Sequence, residues 1–353
     1  MTTKKYMVKL TPHEKFFFGG ENTFGEGKDK NYFVKSNYFP QQTALLGFVR
    51  HQLLIQAGDK VFNENKIVDS GGAKSLIGAH SFCINSPFPY GKIHSLSPIF
   101  IAKKEKEEIE EDYYFPANKE YQIDEKIKDD CTEEKIGNIL EMEDNSGNFI
   151  LNGFNPKYKH PDLLINIKLE KKQYEDIFKE KKQVGIRKNY EGKTEENAYY
   201  IQIFYKLEKN NSFAFIVELE ENVTFISQDV VTFGGEQQSF KMEVSDFTAS
   251  FDNLIPGYEK SKNFDKIVLV SDAMASNDVF KACDFAITDT VNFEFLETKA
   301  NEAHNYSNSK KSKKYNLFKR GSVFYGNISQ IETCLNNPQL EKLGYNIYKT
   351  IKK

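Results

Sequence analysis

The chain opens on a two-residue alternation, with Tyr6, Val8 and Leu10 on one face, which predicts a half-buried strand. The longest helical pattern follows Pro40, where Leu45, Leu46, Val49, Leu53 and Leu54 recur at helical spacing and Gly58 offers a stop. Pro40 suits a first helical turn because its φ is already helical and it has no N–H to leave unpaired. Two positions are odd for a plain amphipathic helix. Gly47 costs about 1 kcal/mol relative to alanine, which implies close packing there. Arg50 stands beside the apolar stripe, where a charge needs a partner.

Further along, residues 60–82 read as loop and short helix, and 92–102 as a strand. Residues 103–112 are almost wholly charged, and 117–145 stay acidic without apolar period. The stretch 103–145 therefore reads as an acidic insertion that is dispensable for folding. Beyond it the pattern predicts a strand at 163–169, a charged helix at 171–181 and a hairpin at 184–207. Strands follow at 213–219, 242–247 and 266–270. A helix is expected at 273–282, a strand at 285–295, a basic loop at 305–319, and strands at 321–328 and 344–351. Many short strands and few helices predict an α+β fold. The tetrapeptide Phe-Gly-Gly-Glu at 18–21 returns at 233–236, as expected of two related domains. The expected division is 1–165 and 166–353.

Composition narrows the function. A length of 353 residues suits two domains, and 30 Phe with 19 Tyr supply a large core. A net charge of −3 excludes a uniformly basic nucleic-acid binder but not segregated charge. The four cysteines, Cys83, Cys131, Cys283 and Cys334, form no C-x-x-C pair, which excludes a structural zinc of ordinary spacing and fits a reduced, cytoplasmic compartment. No apolar run approaches membrane length, so no membrane is expected as a partner.

Three kinds of candidate chemistry remain. Gly19-Gly20 and Gly234-Gly235 read either as tight turns or as backbone cradles for phosphate. Lys179, Lys181, Lys182, Arg187, Lys188 and Lys193 surround Tyr190. Lys310, Lys311, Lys313, Lys314, Lys319 and Arg320 interleave with Tyr315 and Phe318. Cations among aromatics suit single-stranded RNA, and equally suit a soluble loop. Arg50 reads as an RNA contact or as half of an internal ion pair. The six histidines are scattered, and no metal or hydrolase motif occurs.

Ser36-Asn-Tyr-Phe-Pro40-Gln-Gln-Thr43-Ala-Leu-Leu-Gly47-Phe-Val-Arg50 resembles the first helix of the RAMP superfamily of CRISPR proteins. Within it, the chain is most similar to the branch of the third subunit of the type III-B Cmr effector complex. Four more stretches carry that resemblance in order: residues 8–20, Val184-Gly185-Ile186-Arg187, Phe233-Gly234-Gly235-Glu236, and Arg320-Gly321-Ser322-Val323-Phe324-Tyr325. The acidic 103–145 stretch has no counterpart, and Gln237 and Gln238 stand where basic residues are expected.

The resemblance implies two ferredoxin-like (RRM-like) domains in tandem with glycine-rich loops. It implies binding of the CRISPR RNA 5′ handle through Ser36, Arg50, Gly19, Gly20, Gly185, Arg187, Lys188, Gly234, Gly235, Gln237, Gln238, Lys319, Arg320 and Gly321. Implied partners are the large palm-domain (polymerase/cyclase-like) subunit and the RAMP backbone subunit, in antiviral defence. In such complexes target cleavage and nucleotide chemistry lie in other subunits, so no enzymatic activity, cofactor or metal is implied. The alternatives are a RAMP endoribonuclease that processes precursor CRISPR RNA, and a general RNA-binding scaffold.

Overall fold

The computed structural model describes residues 2–20, 22–24, 32–84, 88–104, 111–123, 136–138, 140–143, 149–152, 160–188, 191–260, 264–297 and 310–353. Strand β1 (Thr3–Pro12) is followed by β2 (Tyr32–Lys35), helix α1 (Gln42–Gln56) and helix α2 (Ser70–Ile77). Next come β3 (Ile93–Leu96), β4 (Phe100–Lys104), β5 (Glu111–Pro116), β6 (Leu163–Ile165) and β7 (Lys171–Gln173). A single helical turn, α3 (Tyr174–Ile177), leads into a long hairpin, β8 (Phe178–Lys188) and β9 (Thr194–Leu207). Strands β10 (Asn211–Glu220), β11 (Gln228–Thr232) and β12 (Ser239–Asp246) follow. The remainder holds β13 (Lys266–Leu269), α4 (Val279–Ala282), β14 (Cys283–Ile287), β15 (Thr290–Phe293), β16 (Tyr315–Phe318), β17 (Val323–Gly326), α5 (Ile328–Leu335) and β18 (Tyr348–Ile351). The fold is α+β, rich in sheet and poor in helix, as the pattern predicts.

The first sheet runs β7-β6-β5-β4-β10-β1-β12-β11, with β3 also on β10, and its pairs are antiparallel. Its central strand β1 pairs with β10 and β12, so the sheet closes only at Asp246. The expected division at 165/166 cuts through this sheet. The second large sheet runs β14-β17-β13-β18, antiparallel throughout. The β8–β9 hairpin forms its own sheet, with β2 alongside β9 in parallel.

Both faces of the first sheet are buried at its centre, which explains the unbroken apolar runs at 6–8 in β1 and 213–217 in β10. Val8, Leu10, Phe213 and Phe215 face α1 through Leu45, Leu46 and Val49. Met7, Ala214 and Ile216 face the second sheet through Val268, Val323 and Tyr325. The far side of the second sheet, Ile267, Leu269 and Phe324, is covered by α4 and α5 through Val279, Ile331 and Leu335. The layers are helix, sheet, sheet, helix.

Several expectations change. Helix α1 starts at Gln42 with Gln41 as its cap, so Pro40 precedes the first turn. Gly58, at φ +79°, does terminate it. Gly47 is exposed and a Cβ there would meet nothing within 4 Å, so no close packing explains it. The 171–181 helix shrinks to the turn α3 between two strands, because pairing of β7 with β6 and of β8 with β9 outweighs the helix propensity of its lysines and glutamates. In the expected 305–319 loop, Lys310–Lys311 and Tyr315–Phe318 are strands. The expected 321–328 strand ends at Gly326, and Asn327 then caps a helix that alternation did not reveal. Of the supposed insertion, 105–110, 124–135, 139 and 144–145 lie outside the described residues. Residues 111–121 are core: Tyr114, Phe115, Glu120 and Tyr121 are each 3% exposed or less.

Candidate nucleic-acid interface

The chain leaves β1 and passes Phe16, which exchanges backbone hydrogen bonds with Tyr205 of β9 at 2.7 and 3.1 Å. It then forms the first glycine loop. The Phe18 N–H donates to Ser36 Oγ (2.9 Å), Asn37 N–H donates to the Gly19 carbonyl (2.7 Å), and Ser36 N–H donates to the Ile203 carbonyl (2.9 Å). The second glycine loop docks on the first: Gly235 N–H donates to the Phe17 carbonyl at 2.8 Å. The two Phe-Gly-Gly repeats thus meet, 215 residues apart in sequence, with buried Ser36 between the first loop and the hairpin.

These glycines have a packing reason. A Cβ on Gly20 would sit 1.8 Å from the Lys35 carbonyl oxygen, and one on Gly234, at φ +84°, would sit 2.8 Å from the Phe17 carbonyl oxygen. Backbone lies on backbone there, which only glycine permits. Gly19 is at φ +74°. The outer side of the paired loops is open: Gly234, Gly235 and Gln237 are exposed.

The β8–β9 hairpin adjoins this site. Lys15 Nζ bonds to Gln183 and lies 4.1 Å from the Phe204 ring centre, and Lys35 pairs with Glu180. Partial burial pulls the Lys35 ammonium down, but Glu180, Tyr38 and Asp162 more than offset it, so its pKa lies above the ordinary lysine value. Gly185 faces Tyr200 across the ladder, and a Cβ would lie 2.0 Å from that ring. Lys179, Lys181 and Lys182 are exposed, as are Val184 and Ile186. The Arg187 and Lys188 side chains lie outside the described residues.

The third glycine position belongs to the second sheet. Gly321, at φ +82°, accepts from Lys119 N–H at 2.8 Å, and a Cβ on it would lie 2.4 Å from the Ala117 carbonyl oxygen. Lys319 is half-exposed, and its Nζ lies 3.7 Å from Asp289, which Lys119 approaches to 3.5 Å. Burial, and Lys319 beside it, hold the Lys119 pKa below the ordinary value.

Two expected RNA contacts are turned inward. Arg320 is 9% exposed, and its Nε and Nη2 bind the two Asp272 oxygens at 3.1 and 3.0 Å, with the guanidinium 5.1 Å from the Phe39 ring centre. Burial alone would raise the Asp272 carboxyl; the Arg320 charge and hydrogen bonds reverse this and hold it below the usual carboxylate range. Arg50 is half-buried. Its Nη2 donates to the His80 carbonyl at 2.8 Å, and its guanidinium stands 5.3 Å from the Tyr90 ring centre. Burial pushes the Tyr90 hydroxyl up to about 12. Arg50 thereby ties the His80 loop to α1, and Arg320 ties two loops of the second sheet together beside Phe39, because a guanidinium taken from water needs fixed acceptors.

Sequence reading missed Lys15, Lys35, Lys119, Asp272 and Asp289. Lys35 adjoins Ser36 and could have been included; the others carry no local signal. His51 packs edge-on to Phe62 with its pKa lowered by burial, and His13 Nε2 lies 2.9 Å from the Asp229 carbonyl. Among the described residues no three His, Cys, Asp or Glu side chains are grouped to hold a metal, and no helix is long and apolar enough to cross a membrane.

The model of the family described as CRISPR-associated protein (Cas_Cmr3) matches residues 8–146 and 162–348. The chain belongs to the Cas_Cmr3 family. Its match takes in both glycine loops, the hairpin and the Lys319–Gly321 turn. Two solved chains share the fold at a TM-score of 0.51. One is from the type III-B Cmr-beta complex bound to cognate target RNA and AMPPnP, at 14% identity. The other is from the same complex bound to cognate target RNA, at 15% identity. In each case 98% of this chain and 96% of that chain are covered. A chain of the Csm3–Csm4 subcomplex of a type III-A interference complex aligns over 91% of this chain and 94% of its own, at 14% identity and a TM-score of 0.37. No curated protein matches the chain in sequence.

Proposed function

We propose that this Cas_Cmr3 chain is a non-catalytic RNA-binding subunit of a type III-B CRISPR effector, holding the 5′ handle of the CRISPR RNA and docking the large palm-domain subunit and a RAMP backbone subunit. Membership of the family carries the reading. It is supported by the meeting of the two glycine loops beside a lysine-bearing hairpin, with open backbone at Gly234 and Gly235. The similar Cmr-beta complexes are themselves bound to target RNA. The contact set is Gly19, Gly20, Gly185, Arg187, Lys188, Gly234, Gly235, Gln237, Gln238, Lys319 and Gly321, joined by Lys15 and Lys35. Ser36, Arg50 and Arg320 shape that surface from within.

The reading also takes each large sheet as a ferredoxin-like unit. In the second, β13-α4-β14-β17-α5-β18 has the order β14-β17-β13-β18, which is the βαββαβ arrangement. In the first, β1, α1, β3 with β4, β10 and β12 repeat that order without a second α-helix between β10 and β12. The units divide after Asp246.

The test is photo-crosslinking of a handle-labelled guide RNA in the reconstituted effector, with and without Mg²⁺. Crosslinks to peptides spanning 15–20 and 234–238, with the RNA left intact, are expected. Crosslinks confined to other peptides would refute the site, and discrete RNA products lost in His51→Ala would make the chain a nuclease.

A further inference from the structure

The two large sheets meet through apolar side chains, among them Met7, Phe115 and Ile216 on one and Val268 and Tyr325 on the other. Apolar contact is non-directional, so it holds the sheets together without fixing one register between them. Directional contact comes from two places. At one, Leu96 N–H of β3 donates to the Lys342 carbonyl at 2.8 Å and Gln42 Nε2 of α1 donates to the Leu343 carbonyl at 2.6 Å. The other is a short strap, residues 117–121, which leaves β5 and lies against the second sheet. Glu120 in this strap is 3% exposed and Lys266, at the start of β13, is 2% exposed. Lys266 Nζ donates to Glu120 Oε1 at 2.7 Å, the Tyr325 hydroxyl donates to the same oxygen, and Asn118 Nδ2 donates to Oε2. The adjoining Lys119–Gly321 backbone bond pins the strap beside it.

This pair is a poor way to gain stability. Two charges taken out of water lose about as much hydration as their attraction returns, and apolar replacements are commonly neutral or better. What it supplies is direction. A slip of one strand residue, about 3.3 Å, would pull the Lys266 ammonium and the Tyr325 hydroxyl away from the buried Glu120 carboxylate. The register matters because the proposed RNA surface is composite. The paired glycine loops and the hairpin hang from the first sheet, and the Lys319–Gly321 turn lies on the second.

We propose that Glu120 is a positioning residue: through Lys266 and Tyr325 it fixes the register between the two sheets and so the spacing of the two halves of the RNA surface. The proposal rests on the RNA-binding reading for its consequence, but the register can be measured without RNA. Spin-labelled side chains would be introduced at Lys241 on β12 and Lys281 on α4, both exposed, in the full-length chain. Electron–electron distance distributions, thermal stability and affinity for a synthetic handle-bearing guide RNA would then be compared. Glu120→Leu with Lys266→Met together should remain folded, at a lowered melting temperature because the Tyr325 hydroxyl and the Asn118 amide lose their Glu120 acceptor, and should broaden or shift the label distance and weaken RNA binding by about tenfold. Tyr325→Phe, which keeps the ion pair, should broaden the distance to a smaller degree and remain folded. A folded double variant with wild-type distance and affinity would overturn the proposal. If the double variant does not fold, an unchanged distance in Tyr325→Phe would overturn it. Wild-type chain that binds no guide RNA, with the distance changes as expected, would overturn the RNA reading and leave the lock standing.

Discussion

At the scale of single residues, charge inside this protein is held by geometry. Asp272 and Arg320 make a two-pronged, mostly buried pair over Phe39. Asp272→Asn leaves the guanidinium without its counter-charge, and should cost about 3–5 kcal/mol in urea unfolding. A loss under 1 kcal/mol would show the pair to be solvated. The same site gives a pH dependence. The Asp272 pKa is lowered in the fold, so its contribution is present above about pH 3.9 and is lost as pH falls through its lower folded value. Burial also lowers the His160 pKa, so the unfolded chain takes up that proton first and stability falls as pH drops below about 6.5. His160→Asn should therefore lose less stability than wild type between about pH 7 and pH 5. Parallel losses would mean that the ring protonates freely in the folded protein. Gly20→Ala is expected to destabilise by more than about 1 kcal/mol, since its Cβ would fall 1.8 Å from the Lys35 carbonyl oxygen. Thermal melting of the variant decides this.

At the scale of elements, β5 and the hairpin behave oppositely. Phe115 on β5 is fully buried between the sheets. Phe115→Ala should cost about 3–5 kcal/mol, and replacing 103–145 by a flexible linker should abolish cooperative unfolding. A linker variant that still melts cooperatively would restore the reading of that stretch as dispensable. The hairpin lysines Lys179, Lys181 and Lys182 are exposed. Their combined replacement by Gln should leave thermal stability unchanged and flatten the salt dependence of guide-RNA binding, by about one unit of slope for each phosphate no longer neutralised. An unchanged slope would remove the hairpin from the RNA surface. These elements were legible to different degrees. Alternation disclosed β1 and β12, and helical spacing disclosed α1. The acidic flanks of β5 hid it, and the lysine-rich start of β8 passed for a helix, because pairing partners far along the chain decide both.

At the scale of the whole molecule, the two sheets act as one body through an apolar interface edged by buried charge. Gly321 is a tight backbone crossing between the strap and the second sheet, at φ +82° and against the Ala117 carbonyl. Gly321→Val should weaken that docking and lower the melting temperature by several degrees, on the order of 1–3 kcal/mol. A variant with wild-type melting would place the docking energy elsewhere.

The sequence by itself determined the family. The order of the Ser36–Arg50, Val184–Arg187, Phe233–Glu236 and Arg320–Tyr325 stretches is a property of the chain and needs no coordinates. It also determined the α+β class and the α1 stripe, because helix and strand periods are written in neighbouring residues. The partners of charges were decided by tertiary structure alone. Nothing local tells Arg50 that it will meet the His80 carbonyl, or Arg320 that Asp272 will hold it inside, or Glu120 that Lys266 waits on another sheet. Nor does local sequence say whether a glycine makes room for a ligand or for the chain itself. Gly20 and Gly234 make room for the chain, since their Cβ positions are already taken by carbonyls of Lys35 and Phe17. A contact between residues far apart in sequence depends on how whole sheets stack, and that stacking is set by summed burial over many side chains rather than by any one segment.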